Sequence, residues 1–444
     1  MTRRIIFSFL YSLAFCLIVG SAFAAGPEAS EPSASAQTED KSPPRLRLGF
    51  MERVRLEGWN NTVSLDDTAG EARVYTRVRT SLSLTAAVSS GLEFAVKVTN
   101  ENRYYFAPEN IPFKTDEIFV DNLYLAWDRP GGLPLRLTAG RWNMMLGEGF
   151  VVAEGGPLDG SRSVYFNGLR TDWDLVPGRT TLTAFVVHQP ETDGLPVIDP
   201  KPQAMVEQPE TGAGLYLTAT SGKGTWEPYL LYKRSGAGGM FPKAAVATGG
   251  LRATIPLIPG IKARGEAAYQ TGTRGDARVS AFGGYAFADF HAEKGLPAPI
   301  DFSLGAVWLS GDDTTTDRHE GWDPVFSRWP KWSDSLIYTM IREDRVAYWS
   351  NFISPNATLA VIPHPKIRLS LTAHRMWADK PGRPSAFLSG TGRDRGTLVI
   401  ARTDFEIFTG LTGHLIFEHF RPGDFYRPGA SSAGWLRFEL LYRI

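Results

Sequence analysis

The sequence has one cysteine, Cys16, and it lies in the apolar stretch near the amino terminus. The rest of the chain therefore has neither a disulfide framework nor a thiolate for catalysis or metal binding. Net charge is also absent, because 47 basic residues balance 47 acidic ones, so no global field steers a partner. After residue 20 no run of 18 apolar residues occurs, which argues against a helical membrane span.

The amino-terminal residues have the pattern of a secretory signal peptide. Arg3 and Arg4 precede an apolar run at 5–20, and Ala22-Phe23-Ala24 is a small-x-small cleavage sequence. We therefore predict a signal peptide at 1–24. The low-complexity stretch at 25–44 predicts a flexible periplasmic leader, and a single domain at 45–444 follows.

The last nine residues alternate between apolar and polar side chains, except that the apolar Leu441 lies on the polar face. Leu436, Phe438 and Leu440 share one face of a strand, and Arg437 and Glu439 share the other. A membrane-spanning β-barrel needs this pattern, because one face meets lipid and the other meets the lumen. The alternative is the final strand of a soluble sandwich.

From residue 45 onward, short alternating runs are broken by turn residues throughout. Gly 45, Pro 30 and 12% aromatics suit many turns and aromatic girdles at two membrane interfaces. At about ten residues per strand, this length predicts an all-β, single antiparallel transmembrane barrel of about 18 strands, with 16 as the alternative. Tight turns are predicted at 89–91 and 130–132. Polar stretches at 104–115, 189–210, 311–335 and 378–396 predict extracellular loops or lumen constrictions.

Arginine outnumbers lysine by 35 to 12, which indicates sites that grip carboxylates or phosphates through the guanidinium fork. The polar faces of the first two predicted strands carry seven of these arginines, namely Arg45, Arg47, Arg53, Arg55, Arg73, Arg77 and Arg79. An arginine ladder on a lumen wall predicts an anion-selective constriction. The alternative is a balanced lumen in which these arginines pair with acids on neighbouring strands.

Several later strands mix arginines and acids on one polar face. The candidate lumen residues there are Arg170, Asp172 and Asp174, then Arg402, Asp404 and Glu406, and finally Arg437 and Glu439. Charge-assisted hydrogen bonds would hold such side chains in place. The acids would also keep an anion from binding too tightly to leave.

Catalytic and cofactor chemistry has little support in the sequence. His374 shares a polar face with Ser370 and Thr372, but no histidine pair has metal-ligand spacing. No basic-aromatic module for nucleic acid is present. We expect no enzyme activity, catalytic residue, metal, cofactor or nucleic-acid partner.

Three short motifs stand out from the alternating pattern. They are Gly140-Arg141-Trp142, Phe166-Asn167-Gly168-Leu169-Arg170, and Ser310-Gly311-Asp312-Asp313 followed by Gly321-Trp322-Asp323-Pro324. These motifs resemble those of the alginate export family of outer-membrane proteins. The resemblance implies an 18-stranded barrel with an arginine-rich lumen for an anionic polysaccharide. It also implies that Arg141, Arg170 and Glu439 line the pore.

The sequence therefore predicts a passive outer-membrane channel for an anionic polysaccharide or saccharide. One alternative is a general or solute-specific diffusion porin, and another is a plugged barrel acting as an adhesin, scaffold or enzyme. We expect outer-membrane lipid and an anionic saccharide as partners, and a monomeric state. Direction would come from a periplasmic export partner or from loop gating.

Overall fold

The computed structural model describes residues 46–109, 111, 114–154, 164–200, 205–206, 208–237, 242–327, 331–337 and 349–444. The predicted signal peptide, the leader and Arg45 lie outside the described residues. Within these ranges, no helix is long and apolar enough to cross a membrane.

Eighteen long strands in the described part of the chain form the barrel wall. The first nine are β1 (Leu46–Asn60), β2 (Arg73–Ser89), β3 (Leu92–Ala107), β4 (Lys114–Asp128), β5 (Leu135–Trp142), β6 (Phe166–Val176), β7 (Thr180–Gln189), β8 (Glu210–Ser221) and β9 (Gly224–Ser235). The others are β10 (Ala244–Ile258), β11 (Ile261–Arg274), β12 (Ala277–Ala292), β13 (Ile300–Leu309), β14 (Phe352–His364), β15 (Ile367–Trp377), β16 (Asp394–Phe408), β17 (Leu411–Arg421) and β18 (Ala433–Arg443).

Each strand pairs antiparallel with the next along the chain, and β18 pairs with β1. This last pairing closes the sheet into an 18-stranded barrel, so no strand edge is left exposed. The predicted fold class and strand number are confirmed.

Alternation along each strand separates an outer apolar face from an inner polar one. On β1 and β2 the leucines point outward, and Leu48 and Leu82 are 71% and 61% exposed. Arg53 and Arg79, at odd positions of the same strands, point inward. A wall with this pattern places its apolar side chains against lipid hydrocarbon.

The two ends of the barrel differ in the length of their connections. Short turns such as Ser90-Gly91 and the 3-10 turn Pro130–Gly132 lie at the end where β1 begins. At the other end, the β13–β14 loop runs from 310 to 351. Outer-membrane barrels have short periplasmic turns and longer extracellular loops, so β1 begins at the periplasmic side. The predicted turns at 89–91 and 130–132 are therefore confirmed.

Two long extracellular loops fold into the barrel. The β5–β6 loop and the β13–β14 loop bridge each other through Val152 and Phe326. Phe150 is fully buried and packs against Trp322, with ring centroids 5.2 Å apart, and against Trp349 at 5.4 Å. The barrel interior thus contains an aromatic core made from loops, not only wall side chains.

Candidate functional site

The strands where the barrel closes bring arginines into directly opposed pairs. Arg53 lies opposite Arg79, and Arg55 lies opposite Arg77. Across the next interface Arg77 lies opposite Arg103. Because side chains at opposed positions are about 5 Å apart, this register gathers the guanidinium groups on one inner surface. We call this surface the arginine wall; its cations are Arg53, Arg55, Arg77, Arg79, Lys97, Arg103 and Arg437.

Carboxylates are inserted between the cations of the arginine wall. Glu101 lies 3.5 Å from both Arg53 and Arg79 and 3.4 Å from Arg77. Glu57 lies 3.2 Å from Arg437 and 3.8 Å from Arg77. These charge-assisted contacts offset the repulsion between opposed arginines.

Two further acids on the strands belong to this network. Glu439 hydrogen-bonds to Arg55, and Asp121 lies 3.0 Å from Lys97 and 3.5 Å from Arg79. Asp334 of the β13–β14 loop also lies 3.9 Å from Arg437, so within the described residues the seven cations of the arginine wall face five carboxylates. The balanced-lumen alternative is realised only in part, because positive charge remains in excess.

The central arginines of the arginine wall are almost completely enclosed, whereas Lys97 is partly exposed. Arg53 and Arg437 are 1% exposed, and Arg79 is 0% exposed. Arg437 also stacks over Trp435, with its guanidinium carbon 4.4 Å from the ring centre. These side chains therefore contribute fixed charge to the lumen from within a packed wall.

Other predicted lumen residues lie nearer the barrel ends. Arg47 lies near the periplasmic rim and pairs with Glu93 at 3.0 Å. Arg73 is exposed where β2 begins, at the extracellular end. Glu406, near the β16–β17 turn, pairs with Lys366 at 3.2 Å.

The mixed faces on β6 and β16 form local ion pairs. Arg170 pairs with Asp172 at 2.8 Å, and Asp172 accepts a hydrogen bond from Thr183 at 2.7 Å. Asp174 accepts one from Thr181 at 2.9 Å. Arg402 pairs with Asp404 at 2.6 Å and lies 3.4 Å from Asp334. The second contact links strand β16 to the β13–β14 loop.

Arg141 does not share the inner face of β5, contrary to the resemblance-based prediction. It alternates with Trp142, which packs inward on Phe166, so Arg141 lies on the outer side of the strand. There it pairs with Asp193 at 2.7 Å and stacks over Tyr165 at 3.5 Å. Burial opposes ionisation of Asp193, but the Arg141 hydrogen bond holds the pKa of that carboxyl below its usual value.

The short length of β5 explains this arrangement. β5 has eight residues, so it pairs only with the part of β4 from Leu123 to Asp128. Val197–Ile198, from the β7–β8 loop, pairs with β4 beyond that point. Arg141 therefore fastens this loop to the barrel wall.

A segment of the β13–β14 loop crosses the lumen. Residues 331–337, here called the crossing segment, connect to the β5–β6 loop through Lys331, whose Nζ lies 2.7 Å from Glu148. At the far wall, Glu418 on β17 accepts hydrogen bonds from the Ser333 hydroxyl at 2.7 Å and the Asp334 amide at 2.8 Å. The polar stretch at 311–335 thus supplies a lumen constriction, one of the two predicted possibilities.

The same loop is fixed to the extracellular parts of β9 and β11. Asp323 pairs with Lys233 at 2.6 Å and with Arg274 at 2.8 Å. Its backbone exchanges two hydrogen bonds with the Gln270 amide. Burial would raise the pKa of Asp323, but Lys233 and Arg274 lower it to about 2, so the carboxylate is charged at neutral pH.

Glycines on the inner wall make room for the loop aromatics. A Cβ on Gly283 would lie 2.5 Å from the Trp322 ring, and one on Gly212 would lie 2.3 Å from Phe326. The local sequence gives no signal of this role, because the contacts join distant parts of the chain.

A cavity of about 1170 Å³ lies on the periplasmic side of the crossing segment. Its lining includes four acids, Glu148, Asp289, Asp301 and Asp334, and six cations, Lys223, Lys262, Arg264, Lys331, Arg368 and Arg402. Burial would raise the pKa of Glu148, but Lys331 and Arg264 hold it at about 2, so this acid is charged at neutral pH. Among the described residues, positive charge is in excess in the cavity as well as on the arginine wall.

Solved structures with the same architecture are outer-membrane porins. OccAB3 of Acinetobacter baumannii aligns with a TM-score of 0.56 at 10% identity, over 90% of this chain and 99% of that one. A BenF-like porin from Pseudomonas fluorescens Pf-5 aligns with 0.55 at 11% identity, over 90% and 98%. Pseudomonas aeruginosa OccK2 (OpdF) in complex with glucuronate aligns with 0.52 at 13% identity, over 90% and 98%. The chain is an outer-membrane β-barrel.

The comparisons leave the family of this barrel open. No family model matches the sequence, and no curated protein matches it. The resemblance to the alginate export family is therefore not confirmed. At these identities the porin structures establish the fold alone. The outer-membrane location rests on that fold together with the apolar outer face of the closed barrel, and the substrate has to be argued from the lumen itself.

Proposed function

We propose that this barrel is a passive porin that admits small anionic solutes. The observation that carries the proposal is the excess of cations over carboxylates on both charged surfaces of the lumen. A low-dielectric channel lined by one sign of charge in excess concentrates ions of the opposite sign. The interleaved acids lower the affinity of each cationic site for an anion, so a bound anion leaves quickly.

The contents of the lumen favour a small solute. The crossing segment joins Glu148 to Glu418 across the interior. Phe150 packs with Trp322 and Trp349 beside it. A long, stiff polymer needs a continuous wide passage, whereas a single sugar acid or small carboxylate can pass beside such a constriction.

Glucuronate is the first probe to use, because the structurally similar OccK2 was solved in complex with it. Proteoliposomes that contain the purified protein would be exposed to isotonic glucuronate or to glucose, which is neutral and similar in size. We expect faster entry of glucuronate than of glucose. Equal entry of both would indicate a general pore, and entry of neither would indicate a plugged barrel; both results would contradict the proposal.

Passage of an anionic polysaccharide is the second candidate. One observation favours it: Asp334 lies 3.4 Å from Arg402, which lines the cavity, and 3.9 Å from Arg437 on the arginine wall. The cationic surfaces are therefore continuous, as a polymer with repeated carboxylates would require. Oligouronates of increasing length would be added to the bilayer. Blocking events that last longer as the oligouronate grows, together with passage of the longer chains, would favour this candidate over the porin.

A further inference from the structure

Exposed cations gather on the outer face of the barrel, at the extracellular ends of β9 to β12. Arg234 on β9 lies opposite Ala245 on β10, which lies opposite Thr273 on β11. Thr273 lies opposite Arg278 on β12, and Arg278 pairs with Arg318 of the β13–β14 loop. We call this surface the outer cationic rim; its members, all exposed, are Arg234, Lys243, Arg278 and Arg318.

Alternation along the strands fixes the direction of these side chains. Lys233, the neighbour of Arg234, points inward and pairs with Asp323 at 2.6 Å. Val279, the neighbour of Arg278, is buried inside the barrel. Because successive side chains of a strand point to opposite faces, Arg234 and Arg278 point outward.

The β13–β14 loop supplies Arg318 because β12 extends beyond β13 at this end. Strand pairing between them stops at Gly283 and Leu309. Arg318–His319 then runs parallel to the remaining part of β12, with Arg318 beside Arg278. Two guanidinium groups therefore start from backbone positions about 5 Å apart.

The outer cationic rim differs from the inward cations in its lack of acid partners. In the part of the chain that the structure describes, its four side chains form neither an ion pair nor a hydrogen bond. Asp276 and Asp317 are the acids nearest in sequence to Arg278 and Arg318, and they leave positive charge in excess. Adjacent like charges destabilise a strand pair, so an anion from outside the chain would stabilise this surface.

Aromatic side chains on the same outer face place the rim at the membrane surface. Tyr232, two positions before Arg234, is 47% exposed, and Tyr269 on β11 is 54% exposed. Phe282 packs against Trp308, with ring centroids 5.3 Å apart. Such aromatic residues mark the level of the lipid headgroups. The outer cationic rim lies on the extracellular side of these rings, so it faces the headgroups of the outer leaflet.

We propose that the outer cationic rim binds the phosphate groups of an outer-leaflet glycolipid. Guanidinium groups bind phosphate bidentately, and basic residues beside a membrane attract anionic headgroups. Arg234 and Arg278 are three strands apart, which is about 14 Å at about 4.8 Å per strand, so the site suits a headgroup with two phosphates. The small side chains of Ala245 and Thr273 between them leave room for the sugar.

The test measures binding of fluorescent lipid A, a glycolipid with two phosphates, to the purified full chain in detergent. We expect saturable binding, weakened by about tenfold or more in the triple variant Arg234→Gln, Arg278→Gln and Arg318→Gln. The control should bind like the native chain; it replaces with glutamine three exposed cations of periplasmic turns, namely Arg129, Arg179 and Lys294. Equal binding by the native chain and the triple variant, or equal weakening in the control, would overturn the proposal.

Two competitors identify the group that the rim recognises. Lipid A from which both phosphates have been removed should compete poorly, and competition equal to that of intact lipid A would overturn the proposal in favour of acyl-chain binding. Inorganic phosphate at the same concentration should leave the lipid bound. Displacement by inorganic phosphate would overturn the lipid assignment in favour of a site for free anions.

A photoreactive lipid A covers the case in which the triple variant does not fold. Added to the native chain, it should label peptides that contain Lys243 or Arg278. Labelling confined to other parts of the barrel would overturn the proposal. The lumen takes no part in this site, so the result is independent of the solute that the barrel admits.

Discussion

Arg53 and Arg79 lie directly opposite each other on β1 and β2, although both are cations and both are buried. The carboxylate of Glu101 lies 3.5 Å from each of them. Opposed like charges destabilise a strand pair, so this arrangement depends on the shared acid. The arginine wall is therefore a structural network as well as a source of positive field.

The first prediction concerns the stability that Glu101 provides. Glu101→Gln removes the shared acid and leaves buried guanidinium groups opposed, so we expect a loss of about 3–5 kcal/mol in the free energy of unfolding. Glu93→Gln is the control on the same strand and face, where the partly exposed pairs with Arg47 and Arg136 are each worth about 1 kcal/mol or less. Urea unfolding from lipid vesicles measures both, and equal losses would contradict a special role for Glu101.

The second prediction concerns the docking of the loop core on the inner wall. Gly283→Ala places a Cβ against the Trp322 ring, so overpacking should cost about 1–3 kcal/mol and loosen the loop. We expect larger and noisier single-channel conductance. Gly249→Ala is the control, because its Cβ would point outward with no atom closer than 4.0 Å. Unchanged conductance in a folded Gly283→Ala protein would show that the loop does not limit the current.

The third prediction separates charge from structure in the cavity. Arg368 and Asp301 form an ion pair that both Arg368→Gln and Asp301→Asn break, and Asp301→Asn also changes the contact of Asp301 with His291. Both should lose about 1 kcal/mol or less of stability, because the pair is partly exposed. Their effects on ion selectivity should be opposite, since the first removes a positive charge from the cavity and the second removes a negative one. Reversal potentials that shift in the same direction would show that these side chains do not face the ion path.

The fourth prediction concerns acid release of the β13–β14 loop. The pKa of Asp323 is lowered from 3.8 to about 2 in the folded protein. Its contribution to loop docking is therefore complete above about pH 4 and disappears as the pH falls through about 2. We expect conductance to rise over that window.

Asp323→Asn tests the origin of that rise. The variant should be more conductive already at pH 7, and it should lack the acid-induced step. A native protein with constant conductance from pH 7 to pH 2, and a variant that behaves in the same way, would show that this ion pair does not control the loop.

Alternation predicted the first two strands and the last strand, together with the faces of their charged residues. The outer leucines and inner arginines of β1 and β2 follow from a period of two, which is a local property of the chain. Chain length then gave the strand number, because each barrel strand needs about ten residues plus a turn. Arg437 and Glu439 were placed correctly on the inner face for the same reason.

Long-range contacts could not be read from the sequence. The crossing segment is held by Glu148 and Glu418, which are far from it along the chain. Arg141 lies outward because β5 is short and a later loop pairs with β4 in its place. Both features depend on which part of the barrel the β13–β14 and β7–β8 loops contact, and local periodicity carries no information on such long-range contacts.

The reversal potential of the purified protein in a planar bilayer, under a tenfold KCl gradient, tests the central claim most directly. The excess of cations on the arginine wall and in the cavity predicts an open pore with a clear preference for chloride. Addition of glucuronate should then reduce the chloride current by competition for the partly exposed cations that line the cavity. A cation-selective current, or no current in a correctly folded barrel, would contradict the account.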